Sequence, residues 1–301
     1  MNAITLHSFN LAADRFDRVV ADAFATGEAS RHVRDRLIEQ VNAGRFDQML
    51  PRARTGIAAL PDVVNRKAAL NVIDFTFEPI VMQNMSTEQA VRYFGAVENT
   101  LHVREARGLD SPGPLWVNTV HHVCVFSVLF QLAAFLGKSR RISQVILLHQ
   151  GQRPEPRLGI VSNLLQREHG IVLVLLPLQG SWFSRLTRIT TPRTAIFYLT
   201  DMPPEAFPQA GRRQRGRSRL SLTHDAAEVI SVETVSGSQS FACRLGATCI
   251  QLDYPSTDSI LIRPSDGHET ALCPLEDWAF WPLLGDTAHH EAIGHDNLAV
   301  G

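Results

Sequence analysis

The sequence predicts an α/β protein: a mostly parallel sheet flanked by helices, with a helical region before it. Three observations carry this expectation. Apolar runs of strand length recur after residue 110, stretches with helical periodicity separate them, and glycines stand where those helices should stop. At 301 residues the chain is long enough for one large domain with a helical extension. The expected organisation is a helical region over 1–110, an α/β core over 111–285 and a flexible tail over 286–301.

The elements follow in order. From about residue 12 to 110, apolar residues recur at helical spacing among charges, and β-branched runs are few. Ser86 or Thr87, followed by Glu88 and Gln89, has the form of an N-cap and capping box and starts a helix toward Val97. Leu109 to Pro114, with two prolines and a glycine, breaks the pattern. Leu115 to Val120 then reads as a strand that ends at a histidine pair, and Phe126 to Leu136 as a helix closed by Gly137. Gln144–His149 is a second strand, and Leu158 to His169 a helix closed by Gly170. Ile171 to Pro177, Thr194 to Thr200, Val229 to Val235 and Ala247 to Tyr254 complete six strands. The arginine-rich run from Gln209 to Ser221 lacks an apolar period and is expected to be a mobile loop.

Bulk properties narrow the function. A formal net charge of -1 gives no overall attraction to nucleic acid or to an acidic membrane. Cys124, Cys243, Cys249 and Cys273 form no C-x-x-C pair, so reduced thiols in a cytoplasmic protein fit better than a disulfide framework or a cysteine zinc site. Asp14, Arg15, Asp17 and Arg18 interrupt the N-terminus where a signal peptide needs an apolar core. The longest apolar stretch, Val123 to Leu136, is too short to span a bilayer and holds Ser127 and Gln131. No membrane span is expected, and any membrane contact would be peripheral.

Several short signatures stand in a particular order between about residues 60 and 260. Asn65, Arg66 and Lys67 lead through a helical stretch to Phe77, and the capping box at Ser86 follows. A strand ends in Thr119, Val120 and His121; then come Gln152, Arg153 and Pro154, and the helix from Asn163 to Gly170. Tyr198 leads to Asp201, Met202 and Pro203, and a run of small residues from Ser236 reaches Gly246, Ala247 and Cys249. Order and spacing together resemble the lipid A biosynthesis (lauroyl/myristoyl) acyltransferase family, and so imply a glycerolipid acyltransferase-like fold.

The resemblance implies transfer of an acyl group from a carrier-protein or coenzyme A thioester to a hydroxyl or amine. The phosphopantetheine or coenzyme A thioester would be a co-substrate, with no resident cofactor, and the partners would be an acyl or peptidyl carrier protein and a small acceptor. A hydroxyl is a poor nucleophile at neutral pH, so a positioned base must take its proton as the carbonyl is attacked. In the family a histidine does this, assisted by a carboxylate five positions later. The histidine falls on His121, but the carboxylate position falls on Phe126. Counting from His122 gives Ser127, which can orient a ring but supplies no charge. The motif is degenerate at its centre. That leaves an altered acceptor such as an amine, a distant carboxylate in place of the missing one, or an inactive homologue that binds a carrier protein or another enzyme.

The remaining candidates keep two readings each. Arg153 would serve the cleft by binding a phosphate or a developing oxyanion, or is a surface arginine. Asp201, at a strand's carboxyl end, would orient Arg153 or shape the acceptor pocket, or caps the next turn. His122, Cys124, Phe126 and Ser127 would line the substrate site. Cys124 could accept an acyl group, as in a cysteine hydrolase, but its apolar neighbours fit a buried structural thiol better. Arg212, Arg213, Arg215 and Arg217 would dock an acidic carrier protein, or form a solvated loop; without interleaved aromatics they do not suit nucleic acid. His290 and His295 are five apart, not the four a helical zinc pair needs, and no metal site is expected. No Gly-rich phosphate loop and no G-x-S-x-G elbow occurs.

Overall fold

The computed structural model describes residues 30–44, 62–83, 85–98, 102–149, 156–201, 216–224, 227–236, 238–256, 259–265 and 270–278. The chain divides into two compact units. One comprises 1–80, 203–211 and 275–301, and the other 81–202 and 212–274.

In the first unit, α1 (Ser30–Asn42) buries Val33, Leu37 and Val41, one residue per helical turn. Arg34 on α1 pairs with Asp74 on α2 (Asp62–Gln83) at 2.5 Å. A short 3₁₀ turn (Leu275–Asp277) is tied to α2 by Asn71, whose amide donates to the Glu276 carbonyl at 2.7 Å and to Asp277 Oδ1 at 3.0 Å.

The second unit begins with α3 (Thr87–Glu98), which opens with a reciprocal capping box. Ser86 N–H donates to Gln89 Oε1 at 2.7 Å, and Gln89 N–H donates to Ser86 Oγ at 3.2 Å. A seven-stranded sheet follows, built from β1 (His102–Ala106), β2 (Leu115–Thr119), β3 (Gln144–His149), β4 (Val172–Pro177), β5 (Thr194–Leu199), β8 (Thr248–Ser256) and β9 (Ser259–Pro264). Its order is β1-β9-β8-β2-β5-β3-β4. The strands β8, β2, β5, β3 and β4 run parallel, while β9 pairs antiparallel with β8 and carries β1 in its own direction. The α/β architecture with a mostly parallel sheet is therefore the one the alternation of elements predicts.

The helices α4 (Val125–Arg140), α5 (Pro156–His169), α6 (Trp182–Ile189) and α7 (Ser238–Leu245) flank this sheet. Leu186 of α6 and Ala242 of α7 pack with Trp116, Ile146, Leu148, Leu176, Ile196 and Cys249. The alternate residues Leu115, Val117, Val145, Leu147, Ala195 and Phe197 are buried too, so both faces of the central strands are covered. Phe130 of α4 stacks on Phe94 of α3 at 4.9 Å, and Gln131 donates to the Phe94 carbonyl at 2.6 Å.

Three details differ from the sequence reading. His102–Ala106 is a strand inside the stretch read as helical, because β9 offers it a ladder the sequence does not advertise. The arginine-rich run ends not in a loop but in β6 (Gly216–His224), which pairs with β7 (Ala227–Ser236) and β10 (Thr270–Pro274) in a second, three-stranded sheet. The end of β6, Leu220 to Thr223, is buried throughout, which the arginines just before it mask in the sequence. Gly137 does not close α4, which continues to Arg140 and is capped by Arg141 in the left-handed region at φ 55°. The glycine instead permits close approach, since a Cβ there would lie 2.8 Å from Ile171 Cδ1. Gly170, at φ 65°, does end α5, with Ile171 N–H reaching back to the Leu165 carbonyl.

Candidate active site

The parallel register of β2 and β5 sets the site. Thr119 lies opposite Leu199 at the carboxyl ends of both strands. Thr200 N–H continues the ladder by donating to the Thr119 carbonyl at 2.8 Å. Two residues beyond the matched pair, on each strand, stand His121 and Asp201. Asp201 uses both carboxylate oxygens on this one neighbour: Oδ2 accepts the His121 main-chain N–H at 2.8 Å, and Oδ1 lies 2.6 Å from ring Nδ1. The Asp201 side chain is fully buried, while that of His121 is 20% exposed.

An ionised carboxylate only accepts hydrogen bonds, so Nδ1 of a neutral His121 carries the proton and Nε2 keeps the lone pair. The result is an oriented imidazole with a basic nitrogen, held at the strand ends where α/β folds gather reactive groups.

Around it, the β2–α4 connection folds back on itself. His122 is buried, its ring stacked on Tyr254 with centroids 4.6 Å apart. The Tyr254 hydroxyl lies 2.7 Å from Thr119 Oγ1, and complete burial pushes its pKa well above the ordinary phenol value. Cys124 precedes α4 as a half-buried thiol outside any disulfide, and its N–H donates to His122 Nδ1 at 3.0 Å. Ser127 is buried in the first turn of α4, and its hydroxyl has no hydrogen-bond partner among the described residues.

Phe126, where the resemblance places a carboxylate, packs against a cation. The Arg157 guanidinium stands 4.1 Å from the centre of its ring, and both residues are buried. Arg157 follows Pro156 in the first turn of α5, just as Phe126 lies in the first turn of α4. Arg153, Arg212, Arg213 and Arg215 lie outside the described residues, as do His290 and His295. Arg217 belongs to β6.

The structure thus joins two of the sequence candidates, His121 and Asp201, while the expected pairing of Asp201 with Arg153 lies outside the described residues. Sequence reasoning passed over Arg157, Tyr254 and Thr119. The available signal was positional: His121 and Asp201 each follow closely on the end of an apolar strand, so they meet if those strands are neighbours. No family model matches this chain, and no curated protein matches it. Among the described residues no helix is long and apolar enough to cross a membrane.

Proposed function

We propose that the protein is an acyltransferase in which His121 acts as general base and Asp201 as the carboxylate that orients it. The observation that carries this reading is the pair of hydrogen bonds from His121 to Asp201, at 2.8 Å and 2.6 Å. It supplies the acid that Phe126 lacks, from the end of β5 instead of from α4. In the proposed reaction, Nε2 takes the proton of an amine or hydroxyl as that group attacks the carbonyl of an acyl thioester. The tetrahedral intermediate collapses, the C–S bond breaks, and the proton on Nε2 leaves with the sulfur as a thiol. Asp201 stabilises the transient imidazolium without taking its proton. The order of motifs resembling lipid A acyltransferases supports thioester chemistry. It also supports an acyl or peptidyl carrier protein as donor, with the arginines at 212, 213, 215 and 217 as its docking patch, and a cytoplasmic setting.

A second reading has its own observation. Phe126 and Arg157 fill the place where the resemblance expects the acid, as a catalytically silent carrier- or enzyme-binding homologue would allow. The test is incubation of the full chain with acyl-loaded carrier proteins and acyl coenzyme A, over a panel of amines and alcohols, with His121→Ala as control. Acyl products followed by mass spectrometry should appear with the natural chain and vanish with the variant. Absence of any transfer, with stable carrier-protein binding, would favour the silent homologue.

A further inference from the structure

Three hydrogen bonds that shape the β2–α4 connection pass through His122. Its main-chain N–H donates to the Val120 carbonyl at 2.8 Å, and its carbonyl accepts from Val125 N–H at 2.8 Å. Its ring Nδ1 accepts from Cys124 N–H at 3.0 Å. A side-chain acceptor bound to the amide two residues later is the arrangement of an Asx turn, here made by an imidazole. The ring is fixed on its face as well. It is 2% exposed and stacks on Tyr254 at 26°, and Tyr254 is anchored through its hydroxyl to Thr119, the last residue of β2. Strand end, tyrosine, His122 and helix start therefore form one closed path. His121 sits inside it, with its own main-chain N–H already bound to Asp201.

We propose that His122 is a positioning residue: as a neutral imidazole with an unprotonated Nδ1, it sets the turn that presents His121 to Asp201. An amide donor aimed at Nδ1 requires a lone pair there, so the single proton of the neutral ring belongs on Nε2. A protonated Nδ1 would point its own N–H at the Cys124 N–H, and the turn would lose its closing bond. Adjacent histidines thus hold opposite tautomers, Nδ1–H on His121 and Nε2–H on His122. The stacking on Tyr254 explains an imidazole in place of asparagine, which would make the same turn with no ring to pack. This assignment rests on His121 being the reactive histidine, but its test needs no substrate, so the two readings can fail separately.

The experiment is imidazole ¹⁵N–¹H correlation spectroscopy on the full chain at neutral pH, for the natural sequence, His122→Asn and His122→Phe. The natural chain should show His122 protonated on Nε2 alone, and a downfield, slowly exchanging Nδ1 proton on His121. His122→Asn keeps an acceptor at the same offset and should keep that downfield proton. His122→Phe keeps a stacking ring, deletes the acceptor, and should lose it while the sheet amides stay dispersed. Persistence of the signal in His122→Phe, or its loss in both variants with the sheet intact, overturns the proposal. If His122→Phe does not fold, the natural chain still decides, because His122 protonated on Nδ1 overturns it alone. Intact NMR signatures without acyl transfer would sink the functional reading and leave this one standing.

Discussion

Thr119 and Leu199 face one another at the last matched position of β2 and β5, and this register is what brings His121 to Asp201. The two site residues are 80 positions apart in sequence yet share both oxygens of one carboxylate. Each stands two residues beyond the matched end of its strand, so both start from the same register. Rigid strand ends hold such pairs with little spread in geometry, which general-base chemistry requires.

Asp201→Asn should separate geometry from charge. The amide oxygen can still accept the His121 N–H, so the fold should survive. Its NH₂ facing Nδ1 would force the proton to Nε2 and remove the basic nitrogen from the acceptor's side. Acyl transfer should fall by about 10⁴-fold, the size of the loss that an Asp→Asn change in the orienting acid produces in a serine-protease triad. Initial rates against the natural chain check this, and an unchanged rate would remove Asp201 from the mechanism.

Phe126→Leu tests the contact that occupies the expected acid position. Leucine keeps an apolar side chain but removes the ring beneath the Arg157 guanidinium. The lost cation–π contact and the small void together should cost about 2–3 kcal/mol. Urea denaturation should show an earlier midpoint with an unchanged slope.

Asp277 predicts a pH dependence in the first unit. Burial pushes its carboxyl up to about 6, against the lowering effect of Lys67, while Glu276 adds to the rise. A carboxyl raised in the folded state holds its proton more tightly there than in the unfolded chain. Its stabilising contribution is complete below the ordinary carboxylate pKa of about 4, declines as pH rises toward 6, and is gone above it. Asp277→Asn should flatten the stability profile between pH 4 and 7, relative to the natural chain, in matched denaturation series. A natural profile that rises over this interval because of Asp277 would contradict the assignment.

Arg141→Gly should stabilise the protein. Arg141 ends α4 at φ 55°, a conformation that costs a side-chain-bearing residue on the order of 1 kcal/mol. Its carbonyl, which accepts from Arg193 Nε at 2.8 Å, is retained in the variant. After allowing for the freer unfolded chain, a gain of about 0.5 kcal/mol is expected as a higher thermal midpoint. A lower midpoint would mean that the arginine side chain contributes more than its backbone costs.

Local patterns in the sequence determined much of this molecule: the capping box at Ser86 and Gln89, the apolar strands from Leu115 onward, and the Gly170 helix end. Each depends on residues within a turn or a strand of one another, so periodicity and cap chemistry suffice to reveal it. His121 and Asp201 were legible as separate residues at strand ends. Their partnership was not, because it depends on β2 and β5 being neighbours while α4, β3, α5, β4 and α6 intervene in the chain. The same reason hid β1, which exists through its ladder with β9, and β6, whose buried leucines follow directly on a run of arginines. Gly137 has the sequence form of a helix stop, since a glycine after an apolar helix usually is one. Only the packing reveals that its backbone instead stands close against the Ile171 side chain. Local chemistry decided which residues could act and where the elements lie. Strand order, set by burying both faces of the sheet, decided which of those residues meet.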